Sequence, residues 1–151
     1  MLFNGQFRVN VSAEAVWIFL ADPTKFLGCV PGVGKFEIID ENNFKANVRS
    51  PLTAIPGSFD FDFSYAEKAP ARHSKIVGTG KGLKSVLQFA CTIDLQEEQP
   101  GSTLVDWVIE SEATGLIARL GQRVLGSTVE ATAQKVIANL EMKLNAQAVQ
   151  R

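Results

Sequence analysis

At 151 residues, with 46% hydrophobic and 21% charged side chains, the chain is expected to form one globular domain over residues 1–151 with a real core. A net charge of −1 argues against a nucleic-acid partner and against a polybasic lipid-binding surface. No apolar run reaches the roughly 18 residues of a membrane span and the N-terminus lacks a signal pattern, so a soluble, cytosolic protein is expected, with at most transient membrane contact.

Leu2 to Asn10 alternates loosely and reads as a strand. Ser12 then has the chemistry of an N-cap for a helix over Ala13 to Leu20, with Val11 and Val16 at the spacing of a hydrophobic staple. Asp22-Pro23 restarts the chain as cap and first helical residue, predicting a second short helix over Thr24 to Leu27. Val30 to Gly34 is a loop, and Lys35 to Asp40 and Phe44 to Ser50 form a hairpin around Glu41-Asn42-Asn43. Pro51, Pro56 and Gly57 break the next connection. Ser58 to Lys68 is the clearest strand, with Phe59, Phe61, Phe63 and Tyr65 on one face and Asp60, Asp62 and Ser64 on the other. Arg72–Gly80, Ser85–Glu97 and Ser102–Ala113 complete seven strands joined by short links, which predicts a bent antiparallel sheet.

From Gly115 to Gln147 the pattern is helical. With about 3.6 residues per turn, Leu116, Ile117, Leu120 and Val124 share one face. Leu125, Val129, Ala133, Val136, Leu140 and Leu144 share roughly the opposite one. Between them Gly126 precedes Ser127-Thr128-Val129-Glu130, the spacing of a capping box. Either the helix kinks near Gly126 and restarts at Ser127, the favoured reading, or it runs on and buries two faces. One sheet and one long helix bury each other by the helix lying across the curved sheet. The expected fold is therefore α+β, a bent antiparallel sheet with one long helix across it and two short helices after the first strand.

The chemistry-bearing residues are sparse. The single histidine, His73, sits on a strand and reads as a surface or edge residue rather than a general base. With one histidine and no nucleophile elbow, a catalytic triad has no support, and one histidine with two distant cysteines, Cys29 and Cys91, makes no metal site. The cysteines read as buried thiols. Asp60 and Asp62 face away from the Phe row and are expected to be solvated. Gly78-Thr79-Gly80-Lys81-Gly82 lacks the spacing and the following helix of a phosphate loop, so its glycines are assigned to sharp strand twist or a bulge. Arg119 and Arg123 offer a solvated face, or a polar mouth or docking patch beside Leu116, Leu120 and Val124. No catalytic residue, metal or cofactor is expected.

Two stretches carry more than fold class. Asp22-Pro23 followed by Cys29-Val30-Pro31-Gly32 resembles the D-P…C-[IV]-P-G signature of the CoxG family, named for an accessory subunit of carbon monoxide dehydrogenase. Gly115-Leu116-Ile117-Ala118-Arg119-Leu120-Gly121-Gln122-Arg123-Val124-Leu125 is similar to the opening of that family's last helix, and the Gly78–Gly82 segment and strand order also fit. The resemblance implies a START-like (SRPBCC) helix-grip fold, a seven-stranded antiparallel sheet around a long C-terminal helix. It also implies an accessory role beside a molybdenum hydroxylase such as aerobic carbon monoxide dehydrogenase, in maturation or membrane association. The fold suits carriage of an apolar small molecule, a lipid or quinone. Two features depart from the family: Ser50-Pro51-Leu52 stands where many relatives have glycine, and the apolar C-terminal anchor of longer relatives does not follow Arg151, which speaks against tethering.

Alternation gives the inward-facing set. Phe36, Ile38, Phe61, Phe63, Phe89 and Cys91 come from the middle strands. Trp107 and Ile109 follow from the last strand, and Leu116, Leu120 and Val124 from the helix. Except for Ile38 and Cys91, these are the expected ligand-binding residues. Ten Phe against one Tyr make that interior dry. A cyclase- or hydrolase-like enzyme of the same superfamily would need two polar groups converging inside, for which Tyr65 and His73 are the nominees. A ligand-free docking module would use the face of Leu116, Leu120 and Val124.

Overall fold

The computed structural model of the protein describes residues 1–52 and 55–149, so the connection between Pro51 and Gly57 lies partly outside them. The described residues form eleven elements in order. They are β1 (Leu2–Val9), α1 (Ala13–Leu20), α2 (Pro23–Leu27), β2 (Val33–Ile38), β3 (Asn43–Arg49), β4 (Ser58–Ala69), β5 (His73–Gly82), β6 (Ser85–Gln99), β7 (Ser102–Gly115), a 3₁₀ turn (Ile117–Leu120) and α3 (Gln122–Val149). The strands form one antiparallel sheet in the order β1-β7-β6-β5-β4-β3-β2. From β2 onward each strand therefore pairs with its neighbour in sequence, and β1 closes the far edge against β7.

Local chemistry sets these boundaries. Ser12 Oγ accepts from the Ala15 amide at 3.1 Å and caps α1. Asp22 Oδ1 accepts from the Thr24 amide at 3.0 Å, and Pro23 opens α2 where its missing N–H costs nothing. The Cys29-Val30-Pro31-Gly32 loop is then clamped from the far end of the chain. Asn139 Nδ2 donates to the Cys29 carbonyl at 3.0 Å, and Lys143 Nζ donates to the Gly28 carbonyl at 2.9 Å. Cys29 itself is fully buried. The signature residues are thus a seat for the C-terminal half of α3.

The last third of the chain corrects the expected helix. Strand β7 runs on to Gly115, which turns the chain with φ +89. One 3₁₀ turn follows, and the break falls at Gly121, with φ 87 and ψ 155. From Gln122 the helix is continuous through Gly126, so it does not break and restart at Ser127. Thr128 Oγ1 instead donates to the Val124 carbonyl one turn back, at 2.9 Å.

Three apolar clusters fill the space between sheet and helices. Ile137, Leu140 and Leu144 of α3 pack with Val16, Phe19 and Leu20 of α1 and with Trp107. Phe26 and Leu27 of α2 pack on Phe44, Phe63, Tyr65 and Ile76. Phe59, Ile117 and Leu125 close the end where β7 meets α3. Phe61 and Phe89 join adjacent clusters. On β5, Gly78 lies under the Phe89 ring, which a Cβ would overlap, and a Cβ at Gly80 would come within 2.5 Å of the Phe61 ring. Pairing runs through Gly78 and Gly80 without a register shift, so in place of the expected bulge these glycines make room for the two aromatic rings.

Candidate functional site

Where the three clusters meet, they leave a hollow of about 230 Å³ beneath the N-terminal half of α3. Its floor comes from the sheet, including Phe61, Phe63, Phe89, Cys91 and Ile109. Its roof is one helix face, Leu125, Val129, Ala133 and Val136, and Ile117 of the 3₁₀ turn closes one end. The glycines of β5 make room for the Phe61 and Phe89 rings, which meet edge-on at 6.1 Å between centroids. Phe61 and Phe63 stack at 5.4 Å between centroids, and Phe89 meets Phe63 edge-on at 5.8 Å.

Of the expected ligand-binding residues, Phe61, Phe63, Phe89 and Ile109 are on the wall, and Cys91 with them. The others are elsewhere. Trp107 is buried in the packed cluster under the C-terminal half of α3, over Gly5, where a Cβ would come within 2.7 Å of its ring. Phe36 is 48% exposed and Ile38 42% exposed, because β2 is the outermost strand and α3 does not cover it. Leu116 is 40% and Val124 46% exposed, and half-buried Leu120 does not reach the wall. The cause is Gly121. It breaks the phase between the 3₁₀ turn and α3, so Leu116 and Val124 do not share an inward face. Leu125, Val129, Ala133 and Val136, grouped correctly in the sequence but not assigned to the site, form the roof.

Polar groups on this wall are few and mostly committed. Thr128 Oγ1 and Thr132 Oγ1 donate to helix carbonyls one turn back, each at 2.9 Å. Burial pushes the Cys91 thiol up to about 12, so it stays protonated and acts as a small apolar group. Exposed Arg49, Gln88 and Glu112 reach the rim. Ser111 contributes the remaining hydroxyl, whose oxygen is buried and has no hydrogen-bond partner among the described residues.

The two residues nominated for catalysis do not converge here. The Tyr65 hydroxyl donates to the Leu20 carbonyl at 2.6 Å in the core, and burial raises its pKa. His73 lies at the start of β5, between Asp94 at 2.6 Å and Glu67 at 2.7 Å. Neither is on the wall of the hollow. Among the described residues no cluster of three or more histidine, cysteine or carboxylate side chains could hold a metal ion, and no helix is long and apolar enough to cross a membrane.

A family model for CoxG, a subunit of carbon monoxide dehydrogenase, matches residues 5–145. The chain belongs to the CoxG family. The match takes in both the Asp22–Gly32 signature and the Gly115–Leu125 segment. Among solved structures, a conserved protein from Geobacillus kaustophilus has the same fold, with TM-score 0.85, 24% identity and 95% of each chain covered. A START superfamily protein from Mycobacterium smegmatis follows at TM-score 0.73 and 14% identity, over 97% of this chain and 98% of that one. At these identities the likeness shows the START-like fold. Comparison with the curated proteins finds no match.

Proposed function

We propose that this CoxG-family protein is a non-enzymatic accessory protein that holds an apolar small molecule, lipid- or quinone-like, in the hollow under α3, in the service of a molybdenum hydroxylase. The observation that carries the reading is the hollow itself: about 230 Å³ walled by Phe, Ile, Leu, Val and Ala side chains. Protein interiors are packed about as densely as organic crystals, so a partly open hollow with apolar walls left uncovered over this volume suits an apolar occupant. Its volume exceeds the roughly 150 Å³ of an engineered apolar cavity that takes up benzene. With Tyr65 and His73 both engaged elsewhere, the hollow offers shape and dryness in place of acid–base chemistry.

Organic extraction of the purified protein, followed by mass spectrometry, tests this. An apolar molecule should accompany the wild type in near-stoichiometric amount and be lost from Ala133→Phe, whose ring occupies the hollow from the helix side. Recovery of the same molecule from both proteins would place it outside the hollow and refute the reading.

A second surface bears on the partner. Leu116 and Val124 are exposed near the start of α3, and Arg119 and Arg123 are exposed beside them in sequence. Exposed apolar side chains with basic neighbours in sequence suit docking on a partner enzyme. Capture of a molybdenum hydroxylase that survives Ala133→Phe but not Leu116→Asp would assign docking to this patch and separate it from ligand carriage.

A further inference from the structure

Along the inner face of β7 the side chains run Trp107, Ile109, Ser111 and Ala113, so a hydroxyl interrupts an otherwise apolar row. Ser111 pairs with Phe89 across the sheet, which places it on the aromatic floor. Its backbone is fully engaged: the amide donates to the Met1 carbonyl at 2.9 Å, and the carbonyl accepts from the Met1 amino group at 2.8 Å. Its hydroxyl is not. Oγ is buried and unpartnered among the described residues, whereas the hydroxyls of Thr128 and Thr132 on the same wall are committed to helix carbonyls. An orphaned buried hydroxyl destabilises a fold relative to alanine of the same size class. As it stands Oγ has almost no accessible surface, so donation to an atom in the hollow requires the side chain to turn between its staggered wells.

Resting on the carrier reading above, we propose that Ser111 is the recognition group of the hollow, donating a hydrogen bond to a ring-sized apolar ligand that carries an oxygen acceptor. The size follows from the volume: about 230 Å³ lies below the roughly 300–1,000 Å³ of sites that enclose drug-sized molecules. The hollow therefore encloses a ring or two, and any longer chain leaves past the rim at Arg49 and Glu112. Stacked and edge-on Phe61, Phe63 and Phe89 suit a flat ring. The uncommitted donor of Ser111 selects rings bearing a carbonyl or ether oxygen over plain hydrocarbons.

Two isosteric probes separate the donor from the greasy surroundings: acetylnaphthalene, with a carbonyl, and isopropenylnaphthalene, with a methylidene group in its place. Their dissociation constants are measured calorimetrically for the wild type, Ser111→Ala and Ser111→Thr. The expected result is a loss of about five- to tenfold in ketone affinity on Ser111→Ala, an unchanged hydrocarbon affinity, and recovery of the ketone affinity in Ser111→Thr. Ligand-free Ser111→Ala should also unfold at a higher denaturant concentration than the wild type. Equal effects of Ser111→Ala on both probes, or none on either, would overturn the recognition role and leave the carrier reading standing. Failure of both probes to bind the wild type would overturn both.

Discussion

His73 holds two carboxylates at once. Hydrogen bonds to Asp94 and then Glu67 raise its pKa above the ordinary value, because the imidazolium with both ring protons in place satisfies both partners. A folded-state pKa above the unfolded one means that the native protein binds the extra proton more tightly. The stabilisation is therefore complete below the unfolded value of about 6.5 and is lost as pH rises through the raised folded value. Urea midpoints of wild type and His73→Gln, taken over a pH series, should differ most on the acid side and converge as the pH climbs; a constant gap would contradict this. The same residue marks what a sequence conveys about chemistry. That His73 is a poor general base can be read from its isolation. Its carboxylate partners cannot, because Asp94 reaches it only through the pairing of β5 with β6.

The strands and short helices are legible to within a few residues because their signals are local: alternation in β4, an N-cap at Ser12, Asp22-Pro23 at α2. The start of α3 is not. Gly126 with Ser127 and Glu130 has the composition of a helix restart, yet the break occurs at Gly121, and only backbone angles distinguish two glycines of equal propensity. Substitutions at these two positions should act in opposite directions. At Gly126 a Cβ meets only the Met1 Sδ at 3.5 Å within a continuous helix, so Gly126→Ala should stabilise by up to about 1 kcal/mol. At Gly121 nothing lies within 4 Å, but φ 87 with ψ 155 belongs to a region used almost solely by glycine, so Gly121→Ala should destabilise by about 1–3 kcal/mol. Chemical denaturation measures both, and a reversed order would return the kink to Gly126.

Over the whole molecule, α3 serves two purposes along its length. Its C-terminal half is fixed by Ile137, Leu140 and Leu144 in a packed cluster and by Asn139 and Lys143 on the Gly28–Cys29 carbonyls. Its N-terminal half spans the hollow, with Leu125 anchoring the near end against Phe59 and Ile117. The helix is thus held at both ends and bridges the void between. Alternation identifies Phe61, Phe63, Phe89 and Ile109 as inward, since side-chain direction in a strand is a local property. It also names Phe36 as inward, because alternation fixes a face but not whether anything covers it, and β2 lies at the sheet edge. The volume left between floor and roof depends on sheet curvature and helix depth, which no local pattern encodes.

The central claim, that this hollow is where an apolar ligand sits, is tested most directly by a crystal structure of the wild-type protein soaked with bromonaphthalene, using the anomalous signal of bromine. The account predicts one dominant peak between Phe61, Phe89 and Ala133. A dominant peak at the exposed edge of Phe36 and Ile38 or beside Leu116 and Val124, with the space under α3 closed by its own side chains, would contradict it.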